Sequence, residues 1–171
     1  MSAGPYFGKY RGTVVNNADP LQIGRIIALV SDVSGLLPSS WAMPCVPVAG
    51  LNMGVFTVPP VGAGVWIEFE RGDPDYPIWV GGYWGSVAET PQMAHAVPPG
   101  FAGITLQTTL KNGIVVSDTP GPTGGILIQT TTGAKISVSD LGIEIDNGKG
   151  ASIRMFGPTV DVNHGGLKVL F

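Results

Sequence analysis

Charge and sulfur are scarce in this chain. Of 171 residues, nine are Lys or Arg and twelve are Asp or Glu, for a net charge of −3. So few cations argue against a dedicated binder of phosphate backbones, which needs a basic stripe to displace counterions. There is one cysteine, Cys45, and there are two histidines, His95 and His164. An internal disulfide and any Cys-cluster metal site are thereby excluded. Cys45, set in "WAMPCVPV", is expected as a small buried apolar residue rather than a nucleophile, because a reactive thiol needs an adjacent base. Long apolar runs are also missing: none approaches the roughly 18 to 20 residues that span a bilayer, and no charged-then-apolar leader opens the sequence. The chain is expected to be made in the cytoplasm.

What is plentiful is turn chemistry. Glycine (26) and proline (15) fill about a quarter of the chain, against 44% apolar residues, which predicts short strands and many turns in place of long helices. From Tyr10 to Trp84 five strand candidates follow one another: "YRGTVVN" (10–16), "IGRIIALV" (23–30), "SWAMPCVPV" (40–48), "AGVWIEFE" (63–70) and "YPIWVGGYW" (76–84). Turn clusters such as "NADP", "GLLPSS" and "RGDPD" separate them. Five short strands in that space suit the small five-stranded oligonucleotide/oligosaccharide-binding (OB) barrel. Trp66, Trp79 and Trp84 fall in the last two strands and read as core and interface anchors, since the basic groove that accompanies base stacking is missing.

Residues 86–103, "SVAETPQMAHAVPPGFAG", have no period and read as an extended linker, with His95 solvated inside it. Beyond them the rhythm changes. Apolar pairs spaced two apart recur as Ile104/Leu106, Ile114/Val116, Ile126/Ile128, Ile136/Val138, Ile143/Ile145, Ile153/Met155, Val160/Val162 and Leu167/Val169. Turn formers separate them, among them "NG" at 112, "TPGPTGG" at 119 and "DNGKG" at 146. In "ISVSDLGIEID" (136–146) the alternation gives two strands, each with one apolar and one polar face. A one-chain sandwich of such short strands would be thin. The more economical cover for eight half-apolar strands is other copies of the same chain, three around one axis with apolar faces inward. The expected trimer core is Ile126, Ile128, Ile136, Val138, Ile143, Ile145, Ile153, Met155, Val160 and Val162. Lys135, Asp140, Glu144, Asp146, Lys149, Arg154 and Asp161 then take outward or turn positions.

The first half also carries a specific pattern, "DP-x-x-IGR" followed by "P-x-VGAGVWIEFE-x-GD-x-x-YPIWVG" over most of residues 10–85. It closely resembles the barrel domain of the baseplate spike family of contractile injection systems, which includes phage baseplate assembly protein V and the valine-glycine-repeat spikes of type VI secretion. The resemblance implies an all-β chain: an OB-fold barrel at 1–85, a linker at 86–103, and an intertwined triple-stranded β-helix, a trimeric needle, at 104–171. It implies a homotrimer acting as a structural puncturing device in a bacterial phage tail or phage-tail-like particle. A separate trimeric hub would join the barrel end and a PAAR-type (proline-alanine-alanine-arginine) tip protein the other, where Leu167, Val169 and Phe171 would make the contact. Some relatives bind a metal on the threefold axis through His-x-His; here only His164 is present, and no metal or other cofactor is expected.

No catalytic constellation emerges. Glu68, Glu70, Asp73 and Asp75 cluster in "EFERGDPD", but alternation places the glutamates on an outward strand face and the aspartates in a turn. "GPTGG" and "NGKG" lack Walker A spacing, and two histidines in loops build no triad. The linker is too short to hold a cell-wall hydrolase. Two other classes stay open on the residues alone: a carbohydrate-binding tail-fibre domain using exposed tryptophans, and a nucleic-acid-binding barrel, which the acidic balance disfavours.

Overall fold

The computed structural model describes residues 5–170, with side chains as far as Leu167. The chain divides between Glu89 and Thr90 into two compact units. In the first, β1 (Tyr10–Asn16) turns Gly12 and Val14 inward and Arg11 and Thr13 outward, the period-two alternation of a half-buried strand. It pairs antiparallel with β2 (Ile27–Leu29) and with β6 (Gly64–Phe69). β6 pairs antiparallel with β7 (Pro77–Tyr83), and β7 takes β3 (Met43–Pro44) in parallel, giving the order β2-β1-β6-β7-β3. Isolated bridges, Ile26 to Ala42 and Leu29 to Pro38, tie the segment before β3 back to β2 and curl the sheet round into a barrel. Val14, Ile26, Ala28, Val30, Ala42, Val65, Ile67, Phe69 and Trp79 fill the interior. A helical turn, α1 (Ser31–Ser34), and a two-rung hairpin of β4 (Ala49–Gly50) and β5 (Met53–Gly54) stand outside it.

Two strands come out shorter than the pattern predicts, each for a local reason. The stretch 23–30 is ladder only at 27–29, because residues 19–25 wrap around the Asp19 carboxylate. That group accepts N–H bonds from Leu21 (3.0 Å), Ile23 (3.0 Å) and Arg25 (3.2 Å), and the Arg25 guanidinium at 2.6 Å. The stretch 40–48 keeps only Met43–Pro44, since Pro44 and Pro47 have no N–H to give a ladder. Cys45, expected buried, is exposed. Its backbone N–H still bonds the Trp79 carbonyl at 2.9 Å, but the proline-broken strand carries its side chain away from the core.

The second unit opens with a 3-10 turn (Gln92–Ala96), within the segment expected to be extended. Met93 N–H donates to the Gln107 side chain at 2.8 Å, and a Cβ added at Gly113 would strike Met93 and the Leu106 carbonyl, while one at Gly103 would press on Val97. Eight strands follow: β8 (Gly103–Gln107), β9 (Gly113–Ser117), β10 (Gly125–Gln129), β11 (Lys135–Ser139), β12 (Gly142–Asp146), β13 (Ser152–Phe156), β14 (Thr159–Val162) and β15 (Leu167–Leu170). Every apolar pair read from the sequence lies in one of them. They form a single antiparallel meander in chain order. The described ladder thus closes between successive strands of one chain, and what this chain leaves unsatisfied is a face.

Candidate assembly interface

The register turns that face into two unbroken columns. One runs Leu106, Ile114, Ile128, Ile136, Ile145, Ile153, Val162 and Leu167, each opposite the next across the ladder. The other runs Ile104, Val116, Ile126, Val138, Ile143, Met155, Val160 and Val169. Successive side chains alternate between faces, so each strand gives one residue to each column. Six of the expected core residues, Ile126, Ile128, Ile136, Val138, Ile145 and Ile153, are 38% to 43% exposed; Ile143, Met155, Val160 and Val162 are half-buried. Ile104 and Leu106, at the first rung, are 66% and 65% exposed. An apolar face continuous over eight strands goes beyond the patch of a few hundred Å² that soluble monomers tolerate.

The reverse face is built to stay wet. Glu144 sits opposite Ser137 and Arg154. Its carboxylate takes the Arg154 Nη2 at 2.7 Å on one oxygen and the Lys135 Nζ at 2.9 Å on the other. The Lys135 hydrogen bond, then that of Arg154, holds the carboxyl below its usual range against partial burial. Near the first rungs the reverse face is covered instead: Val115 and Ser117 are buried where the 92–96 turn lies against β8 and β9.

His164 lies in the β14–β15 turn, exposed, with a left-handed φ of 53°. Of the expected tip contacts, Leu167 is exposed, Val169 is placed by its backbone opposite Val160, and Phe171 lies outside the described residues.

In the barrel unit the tryptophans separate. Trp79 is a core residue whose Nε1 donates to the Gly24 carbonyl at 3.0 Å. Trp66 packs on Tyr83 with Arg11 over both rings. Trp84, read as an anchor, is exposed. The four carboxylates of 68–75 do not converge: Glu68 pairs with Lys9, and Asp73 Oδ1 accepts the Asp75 N–H at 3.0 Å.

One barrel surface escaped the strand-by-strand reading. Residues 33–67 contain no charged side chain, and Leu36, Leu37, Leu51, Met53 and Phe56 stand exposed within that stretch. A groove of about 530 Å³ runs beneath the β4–β5 hairpin, lined by Ile23, Met43, Val48, Met53 and Phe56 among others. The signal was the missing charge over 35 consecutive residues, which alternation alone does not register.

Residues 10–84 match the family described as the type VI secretion system/phage-baseplate injector OB domain. Residues 103–168 match the phage baseplate V C-terminal trimerisation domain. No curated protein matches the chain.

Proposed function

Because this chain belongs to the baseplate spike family of phage tails and type VI injectors, we propose that its two apolar columns face a common axis and form the interior of a three-sided needle. The chain is a structural spike component of a phage tail or phage-tail-like particle, and its trimerisation domain makes it a homotrimer. The single observation behind the interior is the exposed ladder of Ile, Val, Leu and Met on one face, with the Lys135–Glu144–Arg154 ladder on the other. Three such faces turned inward remove the apolar surface from water at about 25 cal/mol per Å² and leave the charges outside.

The mechanism is mechanical. The spike performs no chemistry of its own and, made in the bacterial cytoplasm, is carried at the front of the tube to the target membrane. Each sheet pairs its own strands, and the faces lock sheet to sheet, so axial force is borne by packing and ladder together. The uncharged surface of 33–67 docks the separate trimeric hub, and Leu167, Val169 and Phe171 seat a PAAR-type tip protein. A spike lacking 167–171 is expected to lose the tip protein in a pull-down; undiminished capture would sink that contact.

Mass in solution tests the core. The full chain should scatter light as a particle of three times 17.7 kDa. Ile128→Asp with Ile136→Asp, which puts six carboxylates inside, should reduce it to one chain. A wild-type monomer, or a trimer indifferent to those charges, would overturn the arrangement.

A further inference from the structure

Uniform apolar columns leave the axial register of three copies open. Ile, Val, Leu and Met repeat at every rung, about 4.8 Å apart, so copies slipped by a rung bury the same kind of surface. Flat uniform seams specify register weakly, and a polar group at a fixed place is the known remedy.

Polar groups in fixed places flank these columns on the same face. On one edge the hairpins continue a residue past the strands: the Thr108 N–H donates to the Asn112 carbonyl at 2.9 Å, Thr130 to Ala134 at 2.9 Å, and Asn147 to Ala151 at 3.1 Å. Thr108, Asn112, Thr130 and Asn147 are each two residues from a column member, and so return to its face. On the other edge Asp118 stands two residues beyond Val116, its N–H bonded to the Ala102 carbonyl at 3.0 Å, and Asp140 heads the β11–β12 turn. All six are exposed. The Asn147 Oδ1 is taken up by the Lys149 and Ala151 N–H groups of its own turn, at 2.8 and 3.1 Å, while its Nδ2 has no partner among the described residues. Asp118 has no side-chain partner among them, and Asp140 receives only the Gly121 N–H, at 2.8 Å. The Thr130 hydroxyl lies 3.0 Å from that of Thr132 and 3.3 Å from the Ala134 carbonyl, and the Asn112 amide lies 3.5 Å from Thr108 Oγ1, so Asn147 carries the free amide donor of one edge and the two carboxylates stand on the other.

Threefold rotation brings unlike edges together, since each sheet has one of each and the contact is head-to-tail. Resting on the trimeric reading above, we propose that the two edges meet at the corners of the prism. There the Asn147 amide of one copy hydrogen-bonds the Asp118/Asp140 edge of the next and holds the copies in one register.

Asn147→Asp separates this role from a local one. The aspartate keeps the oxygen that caps the turn, but replaces the amide donor with a charge facing other carboxylates. The full-length variant should fold, and its trimer should dissociate about ten-fold more readily in guanidinium, followed by light scattering. Asp118→Asn with Asp140→Asn in the same chain should restore it. In hydrogen exchange, the variant should lose amide protection at β8 and β15, the end rungs a slip uncovers, while β11 and β12 stay protected. A wild-type trimer whose dissociation and exchange are unmoved by Asn147→Asp overturns the seam and leaves the spike standing; a wild-type monomer overturns both.

Discussion

At Asp19 a single carboxylate organises the loop from β1 to β2, and "DPLQIGR" becomes intelligible as geometry. Arg25 reaches back to Asp19 while its guanidinium lies 5.2 Å from the Trp41 ring centroid. Between them Gly24 adopts φ +85°, where a side chain would be strained. The Arg25 hydrogen bond, with the N–H groups of Leu21, Ile23 and Arg25, holds the Asp19 carboxyl far below the ordinary value of 3.8 against the opposing cost of burial. A carboxyl lowered in the folded state binds fewer protons there than when unfolded. Its stabilisation is therefore complete above about pH 5 and drains away as pH falls through the unfolded value toward the folded one. The urea midpoint of the barrel, followed by tryptophan fluorescence, should fall between about pH 5 and pH 2. Asp19→Asn should lower the midpoint at pH 7 and flatten that slope; an unchanged slope would mean the acid sensitivity lies elsewhere. Ser152 presents the reverse case. It is buried, and its hydroxyl has no partner among the described residues, so Ser152→Ala, which removes an unpaired buried polar group, should leave stability unchanged or raise it by about 1 kcal/mol. A clear loss, measured by denaturant unfolding, would overturn this and reveal a hydrogen-bond partner for the hydroxyl.

Among the elements, the eight strands of the meander follow directly from eight apolar pairs, because alternation and turn residues are local properties that neighbouring strands reinforce. Their joints are more demanding. Gly125 opens β10 at φ +81°, and a methyl group there would strike the Val138 carbonyl. Gly125→Ala should cost more than about 1 kcal/mol in thermal unfolding of the needle unit, and a neutral result would require this turn to rearrange. The barrel strands were less legible. Prolines at 44 and 47 and the Asp19 loop cut two of them short, and both effects depend on which carbonyl needs an N–H at that place. The 3-10 turn at 92–96 was invisible for a related reason: it gains its order by lying on β8 and β9, not from its own sequence. A chain starting at residue 90 should accordingly form a more heat-stable trimer than one starting at 104. Equal melting temperatures would return 90–103 to the role of linker.

For the whole molecule, the sequence by itself determined the class of fold, the change of grammar after Trp84, and the identity of the residues that want cover. These rest on composition, alternation and a motif, all readable along one chain. It could not determine how the ladder closes. Alternation within a strand is the same whether its neighbour belongs to the same chain or to another, and only the register, Ile128 opposite Ile136 and Ile136 opposite Ile145, shows hairpins closing on themselves. Nor could it place Cys45 outside, or bring Ile23, Met43 and Phe56 together along one groove, since those positions depend on contacts between segments apart in sequence. The tertiary structure decided that the ladder closes within one chain and that what stays uncovered is a single apolar face. Backbone hydrogen bonds are satisfied within the chain at little distance, whereas an apolar face eight strands tall finds nothing large enough to cover it among the described residues of its own unit.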